Sequence, residues 1–373
     1  MLTPFRPQLL VLQPTPYCNI DCSYCYLRHR DDRRLMGADV IEAVRNKIVS
    51  AMPADSAPVI VWHAGEPTVA PIRWYEHAHE RLAAVAPPRT SFAMQSNGIA
   101  IDERWIALFA RTGTNVSLSI DGPQRFHDQR RRTRNGAPTW GLAMRGLKRL
   151  QDAGLEPRLI TVLHPDGLDC PDEYYAFYRD NDVTEVSFSI DEREGAHAQS
   201  SFEGCDHKGR VTAFLVDLME RAYRDDFPLH VREVERIAQI LAGTTTVDNE
   251  LADPWAAIVV AVDGSVSTFS PELMEAQAPE YNNFVFGNIL DGELERFASD
   301  EHFQRSQREV AAGVAACKAA CRYFSICGGG SPVNKLCEKG DLAATETDYC
   351  RLAIQSPADA LLQLLARTLA AAK

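Results

Sequence analysis

Residues 9–27 read LLVLQPTPYCNIDCSYCYL, a short apolar run followed at once by Cys18, Cys22 and Cys25 in the spacing C-x3-C-x2-C. A brief apolar run bounded by prolines has the pattern of a buried strand, and the polar, aromatic stretch behind it that of a loop. The same pairing recurs down the chain. Strand-like runs at 8–13, 58–63, 91–95, 115–120 and 157–163 precede helical patterns at 39–52, 72–85, 102–112, 139–153 and 172–179, and 185–190 reads as a sixth strand. Short β-branched runs such as VIVW and RLITVL alternating with helices point to parallel strands joined by crossover helices. The expectation is an α/β fold whose residues 1–195 form a (β/α)6 partial TIM barrel. In such folds reactive groups collect at the carboxyl ends of the strands, which is where the polar motifs fall.

Past residue 195 the rhythm changes. Helical stretches at 208–224 and 231–241 suggest a bridging region over 196–256. A hairpin over 257–269, turning at Asp263-Gly264, opens a C-terminal module of residues 257–373 that closes on a helix. No solenoid repeat or low-complexity linker interrupts this plan. Among the 373 residues, 39 basic against 51 acidic side chains give a net charge of −12, which argues against a nucleic-acid partner, since phosphate-backbone affinity depends on many basic contacts. Prolines 4, 7, 14 and 16 break any signal-peptide pattern, and Asp359, Gln363 and Arg367 interrupt the apolar tract 358–372, which reads as an amphipathic helix and not a membrane span. A cytoplasmic address is expected.

Eight of the ten cysteines are clustered: Cys18, Cys22 and Cys25, then Cys317, Cys321, Cys327, Cys337 and Cys350, leaving Cys170 and Cys205 alone and expected to be inert. Three thiolates in one loop can converge on a metal group while leaving one position open, whereas a structural zinc takes four protein ligands. This spacing after a first strand resembles the radical SAM superfamily. The resemblance implies a 4Fe–4S cluster on Cys18, Cys22 and Cys25, its open iron chelating S-adenosylmethionine, which is cleaved reductively to a 5′-deoxyadenosyl radical; the competing reading is a structural zinc. His63-Ala64-Gly65-Glu66-Pro67 resembles the family's GGEP motif with Ala for the first Gly, Ser96-Asn97-Gly98 its T/S-N-G turn, and Ser119-Ile120-Asp121-Gly122-Pro123 its contacts to ribose and methionyl groups. By this resemblance Tyr24, Gly65, Glu66, Pro67, Ser96, Asn97, Ser119, Asp121 and Arg131 contact the cofactor, with Arg131 facing its carboxylate. Each motif alone is weak. Asp-Gly-Pro and Ser-Asn-Gly are ordinary turns, and Arg125, Arg130, Arg131, Arg132 and Arg134 could be a solvated basic stretch; order and spacing together carry the reading.

The second group, C-x3-C-x5-C-x9-C-x12-C, is similar to the SPASM extension of peptide-modifying radical SAM enzymes. The resemblance implies one auxiliary 4Fe–4S cluster, because the upstream cysteines of the two-cluster pattern are absent. It assigns Cys317, Cys321, Cys327 and Cys350, with Cys337 either a spare thiol or the true fourth ligand, and zinc the alternative metal. TFSPEL, FGNI and CGGGSPVNK…ETDYCR further resemble the cyclophane-forming peptide maturases of the GrrM/OscB type. That branch implies abstraction of a Cβ hydrogen from a ribosomally made precursor peptide and a C–C bond to an aromatic ring, with the auxiliary cluster as electron acceptor, Glu272 or Asp263 as general-base candidates, and an external flavodoxin or ferredoxin as donor. No winged-helix leader-binding domain fits before Cys18, so leader capture by addition to a strand edge is one expectation. The competing functions are oxidation of Ser or Cys in sulfatases, thioether crosslinking, or a zinc-stabilised, non-enzymatic binding module.

Overall fold

The computed structural model describes residues 5–371. Six strands, β1 (Leu9–Leu12), β2 (Val59–Trp62), β3 (Ser91–Ser96), β4 (Asn115–Ser119), β5 (Arg158–Leu163) and β6 (Glu185–Ile190), pair in parallel in chain order, the topology of a (β/α)6 unit. The helices between them match the sequence expectation with two differences: in place of a single helix over 39–52 there is a helix Ala38–Lys47 and a 3-10 turn Val49–Ala51, and a short helix, Gln124–Arg130, follows β4 where none was expected. Helix Glu103–Thr112 shows how local chemistry sets such bounds. The Asp102 carboxylate accepts from the first-turn N–H groups of Arg104 and Trp105, and Gly113, at φ +63°, ends the helix in a left-handed turn.

Alternate residues of these strands face opposite ways. Ile60, Trp62, Phe92, Met94, Leu159 and Leu163 are buried beneath the helices, while Gln95, Ile160, Val162 and Ser189 look into a cavity. A closed eight-stranded barrel fills that interior with side chains; here it opens at the carboxyl ends of the strands.

The sheet does not stop at six. The hairpin β8 (Ala257–Val260) and β9 (Ser265–Thr268) turns where the sequence placed it, but β8 also runs parallel to β1, from Leu9 opposite Ala257 to Leu12 opposite Val260. β7 (His230–Val231) lies beside β6 and β10 (Gly287–Asn288) beside β9, giving ten strands in the order β10-β9-β8-β1-β2-β3-β4-β5-β6-β7. The continuous burial of Ala257–Val260 follows from this position inside the sheet, neighboured on both sides. Both outermost strands are two residues long. Beyond the short β7, the Glu233 carboxylate accepts from the Phe188 N–H at 3.0 Å and the Ser187 hydroxyl at 2.6 Å, so little edge is left for an added strand. Among the described residues, no helix is long and apolar enough to cross a membrane.

Candidate functional site

The three-cysteine loop is fastened from below by a small antiparallel ladder in which Ile20–Cys22 pairs with Arg131–Thr133. Arginines grip its backbone: Arg30 donates to the Cys22 carbonyl at 3.1 Å and Arg134 to that of Cys18 at 2.9 Å. Cys18, Cys22 and Cys25 all line the cavity at the strand ends, about 410 Å³ in volume. Burial pushes the Cys18 and Cys22 thiols up to about 12, since a bare thiolate there would lack solvation. A cationic group bound by all three offsets that cost, because coordination deprotonates a thiol outright. Three thiols on one wall fit a group with one vacant corner. Among the described residues no three His, Cys, Asp or Glu side chains close to single-ion distances, so the fit rests on convergence upon one cavity.

The loop after β2 docks on this one. The Glu66 N–H donates to the Tyr17 carbonyl at 2.8 Å, and a Cβ on Gly65 would sit 2.5 Å from the Thr15 and Tyr17 carbonyls, so only glycine allows that approach. Ala64, which stands where the motif has glycine, keeps a left-handed backbone at φ +69°; the substitution therefore carries strain of about 1 kcal/mol. Glu66 is buried. Its Oε1 accepts from the Thr68 N–H, the Thr68 hydroxyl and the Ser96 hydroxyl, and its Oε2 from the Asn97 N–H at 2.7 Å. Burial raises its proton affinity against the pull of these donors, and Oε2, with one donor, has capacity to accept another. Asn97 also donates to Asn19 at 2.7 Å, tying the third strand end to the cysteine loop. Gly65, Glu66, Ser96, Asn97, Ser119 and Tyr24 line the cavity; Pro67 does not, opening a 3-10 turn behind it.

Asp121 and Arg131 are turned to a different use from the one the motif suggests. Asp121, 1 % exposed, does not line the cavity. Its Oδ2 accepts from Tyr24 Oη at 2.6 Å and Arg131 Nε at 2.9 Å, and its Oδ1 from the Val162 N–H at 3.1 Å. Burial works against its charge, but Arg131, His127 and Tyr24 outweigh it and hold the carboxyl below its usual range. Arg131 is also buried, lines the cavity and aims an N–H at Cys22 Sγ, 3.7 Å away. The pair thus clamps Tyr24 and Cys22 in place, and Arg131 alone of its basic stretch is buried: Arg125 pairs with Glu173 and Arg130 with Asp166 at the surface.

The facing wall is built in part from the C-terminal phrases TFSPEL, CGGGSPVNK and ETDYCR. Glu192 and Glu194 follow β6, Glu272 follows β9, and Asn334 and Tyr349 come from the C-terminal module. Asn334 Nδ2 donates to Glu192 at 2.7 Å and the Ser270 hydroxyl to Glu272, but among the described residues none of the three carboxylates has a cationic partner. Burial and mutual repulsion raise Glu194 well above the carboxylate range and Glu192 to about 7. His63 Nδ1, from the strand-end motif, and Tyr26 Oη, from the cysteine loop, also line the cavity and are wholly buried atoms without a partner among the described residues. Of the two base candidates, Glu272 belongs to the cavity and Asp263 does not, being exposed on the hairpin turn.

Cys317, Cys321, Cys327 and Cys350 line a second cavity of about 350 Å³. Each sulfur has a donor or acceptor at hand: Tyr323 N–H to Cys321 at 3.4 Å, Gly330 N–H to Cys327 at 3.1 Å, Gln355 Nε2 to Cys350 at 3.7 Å and Lys335 Nζ to Cys317 at 3.6 Å. Four thiols dressed with N–H donors suit a saturated iron–sulfur group. Cys337 stands apart, beside the Gly195 backbone. Cys170 accepts from Arg125 at 3.1 Å, and Cys205 is exposed. The two cavities share a thin wall. Gly330 lines one and Ser331 the other, as do Cys350 and Tyr349.

Comparison with known proteins agrees with this geometry. Residues 12–191 match the model of the radical SAM superfamily. The uncharacterized protein sll1766 of Synechocystis sp. is 33% identical over 99% of this chain and 94% of its own. The serine-type anaerobic sulfatase-maturating enzyme of Bacteroides thetaiotaomicron is 27% identical over 57% of this chain and 54% of that one. Among solved structures, anSMEcpe with bound AdoMet and Cp18Cys peptide superposes with a TM-score of 0.77 at 19% identity, covering 98% of this chain and 99% of that one. Streptococcus suis SuiB bound to precursor peptide SuiA gives 0.64 at 12% identity, covering 93% and 76%. The cysteine loop, the strand-end motifs and the family match together place the chain in the radical SAM superfamily, as an enzyme that works with S-adenosylmethionine and 4Fe–4S clusters.

Proposed function

We propose that this enzyme matures a ribosomally made precursor peptide, joining an aromatic ring carbon to the β-carbon of the residue two positions later and so closing a three-residue cyclophane. The observation that carries the reading is a single cavity with two unlike parts: a thiol loop and strand-end motifs, with Tyr26 and His63 among them, and opposite these the carboxylates Glu192, Glu194 and Glu272, which have no cationic partner among the described residues. When bound, the cluster on Cys18, Cys22 and Cys25 and its S-adenosylmethionine supply abstraction of a hydrogen atom. Glu66, through its remaining lone pair, and Ser119 orient the nucleotide. Tyr24 and Arg131 hold the loop, and Ser96 and Asn97 hold Glu66. Replacing a ring hydrogen by a carbon–carbon bond releases a proton, and Glu272 or Glu192 stands on the facing wall to take it. Cys317, Cys321, Cys327 and Cys350 hold the auxiliary cluster. Residues 1–195 then serve as the radical core, 196–256 as the bridge and 257–373 as the auxiliary module, with a flavodoxin or ferredoxin as electron source. Support for a peptide substrate comes from the two superposed structures with bound peptides.

Anaerobically reconstituted protein given reductant and S-adenosylmethionine should form 5′-deoxyadenosine. With the peptide encoded beside its gene it should yield a product lighter by two hydrogens, with every cysteine thiol still alkylatable. Loss of a thiol would replace the cyclophane with a thioether. A second reading, oxidation of a Ser or Cys to an aldehyde, is favoured by the sequence match to a sulfatase-maturating enzyme; labelling the product with a hydrazide separates it from the first.

A further inference from the structure

Lys335 is 3 % exposed, and among the described residues its ammonium lies within 4 Å of no carboxylate. A buried ammonium without a counter-charge costs several kcal/mol. Its single hydrogen-bond acceptor among the described residues is Cys317 Sγ at 3.6 Å. Neighbouring backbone makes room for it: a Cβ on Gly313 would meet Lys335 Nζ at 2.9 Å and the Leu342 carbonyl at 2.5 Å. Helix Pro332–Lys339, which carries it, starts beside the Gly328–Gly330 turn whose N–H groups serve Cys327. The preceding residue, Asn334, faces the first cavity and holds Glu192.

We propose that Lys335 is a positioning residue for the auxiliary cluster: its ammonium donates to the Cys317 thiolate and supplies the positive charge that stabilises the cluster's reduced form. Four thiolates about a 4Fe–4S core leave a net negative charge that deepens on reduction, so a fixed cation at one sulfur raises the reduction potential. The proposal rests on the ligand set given above. It gives the second site a built-in bias toward accepting an electron, which the proposed crosslink releases together with the ring proton.

The test is a redox titration of reconstituted full-length protein followed by electron paramagnetic resonance, with S-adenosylmethionine added to identify the signal of the open-cornered cluster. Lys335→Met and Lys335→Gln should each lower the midpoint of the other signal, by about tenfold in the reduction equilibrium, or 59 mV for one electron. Lys339→Met removes the same charge from an exposed position on the same helix and should leave the midpoint in place. An unchanged midpoint in both Lys335 variants, with iron content intact, would overturn the proposal. A wild-type protein that shows only the signal shifted by S-adenosylmethionine would overturn the ligand set instead.

Discussion

The two cysteine sites are built on opposite principles. At the first, three thiols sit on the rim of an open cavity, their loop gripped through its carbonyls by Arg30 and Arg134, and the remaining wall is carboxylates and unpartnered polar atoms. At the second, four thiols line one cavity, each with an N–H donor within reach of its sulfur. On the proposed ligand sets, three thiols would leave one corner of a 4Fe–4S group open to a ligand and four would saturate it. Both sites aim N–H groups at sulfur, Arg131 to Cys22 at the first among them, so what separates them is the number of thiols that line each cavity and the wall that faces them.

The sharpest way to break this contrast is to remove one thiol from each side. Cys18→Ala should abolish 5′-deoxyadenosine formation and about halve the bound iron. Cys321→Ala should lose a similar share of iron yet still cleave S-adenosylmethionine without yielding crosslinked peptide. Equal loss of cleavage in the two would erase the distinction. Next in size is Arg131→Met, which strands the buried Asp121 carboxylate; breaking such a pair costs about 3–5 kcal/mol, read as a lower midpoint in chemical denaturation, with the second site's iron retained.

The facing wall gives a smaller and pH-dependent effect. With its proton affinity raised to about 7, Glu192 stays protonated in the fold at pH values where the unfolded chain has already released that proton. Its contribution to stability is complete below about pH 4, is lost as pH rises toward 7, and stays lost above. Glu192→Gln should accordingly be more stable than wild type at pH 8, by on the order of 1–3 kcal/mol, and no more stable at pH 4. A melting-temperature difference that does not change between these two pH values would contradict the assignment. Smallest is Ala64→Gly, which relieves the left-handed backbone and should stabilise by about 1 kcal/mol or less, seen as a slight rise in Tm.

Much of the first site was legible because it is local. Strand, loop and motif follow one another in sequence, so Cys18–Cys25, Glu66 and Ser96-Asn97 could be placed before any coordinates. The facing wall was not. Glu192 and Glu194 come from the loop after β6, Glu272 from a 3-10 turn, Asn334 from helix Pro332–Lys339 and Tyr349 from the segment before Cys350, and nothing in their spacing says that they share a cavity. Asp121 and Arg131 carried a readable motif but an unreadable partner: the sequence shows two groups able to meet a cofactor, and only packing shows that they meet each other. The hairpin turn at Asp263-Gly264 was likewise visible as local chemistry, while the pairing of Ala257–Val260 with Leu9–Leu12 was not, since alternation of apolar residues does not name a neighbour. Of Cys337 and Cys350, only Cys350 lines the cavity of Cys317, Cys321 and Cys327, a placement that spacing does not reveal.

That last pairing reaches across almost 250 positions of chain and bears on how the protein is made. On the ribosome β1 and the cysteine loop behind it emerge first, yet one flank of β1 stays bare until the hairpin has been synthesised. Contacts so distant in sequence form late and slowly. The sheet around the strand that carries the cysteine loop is thus completed only by the segment that introduces the C-terminal module.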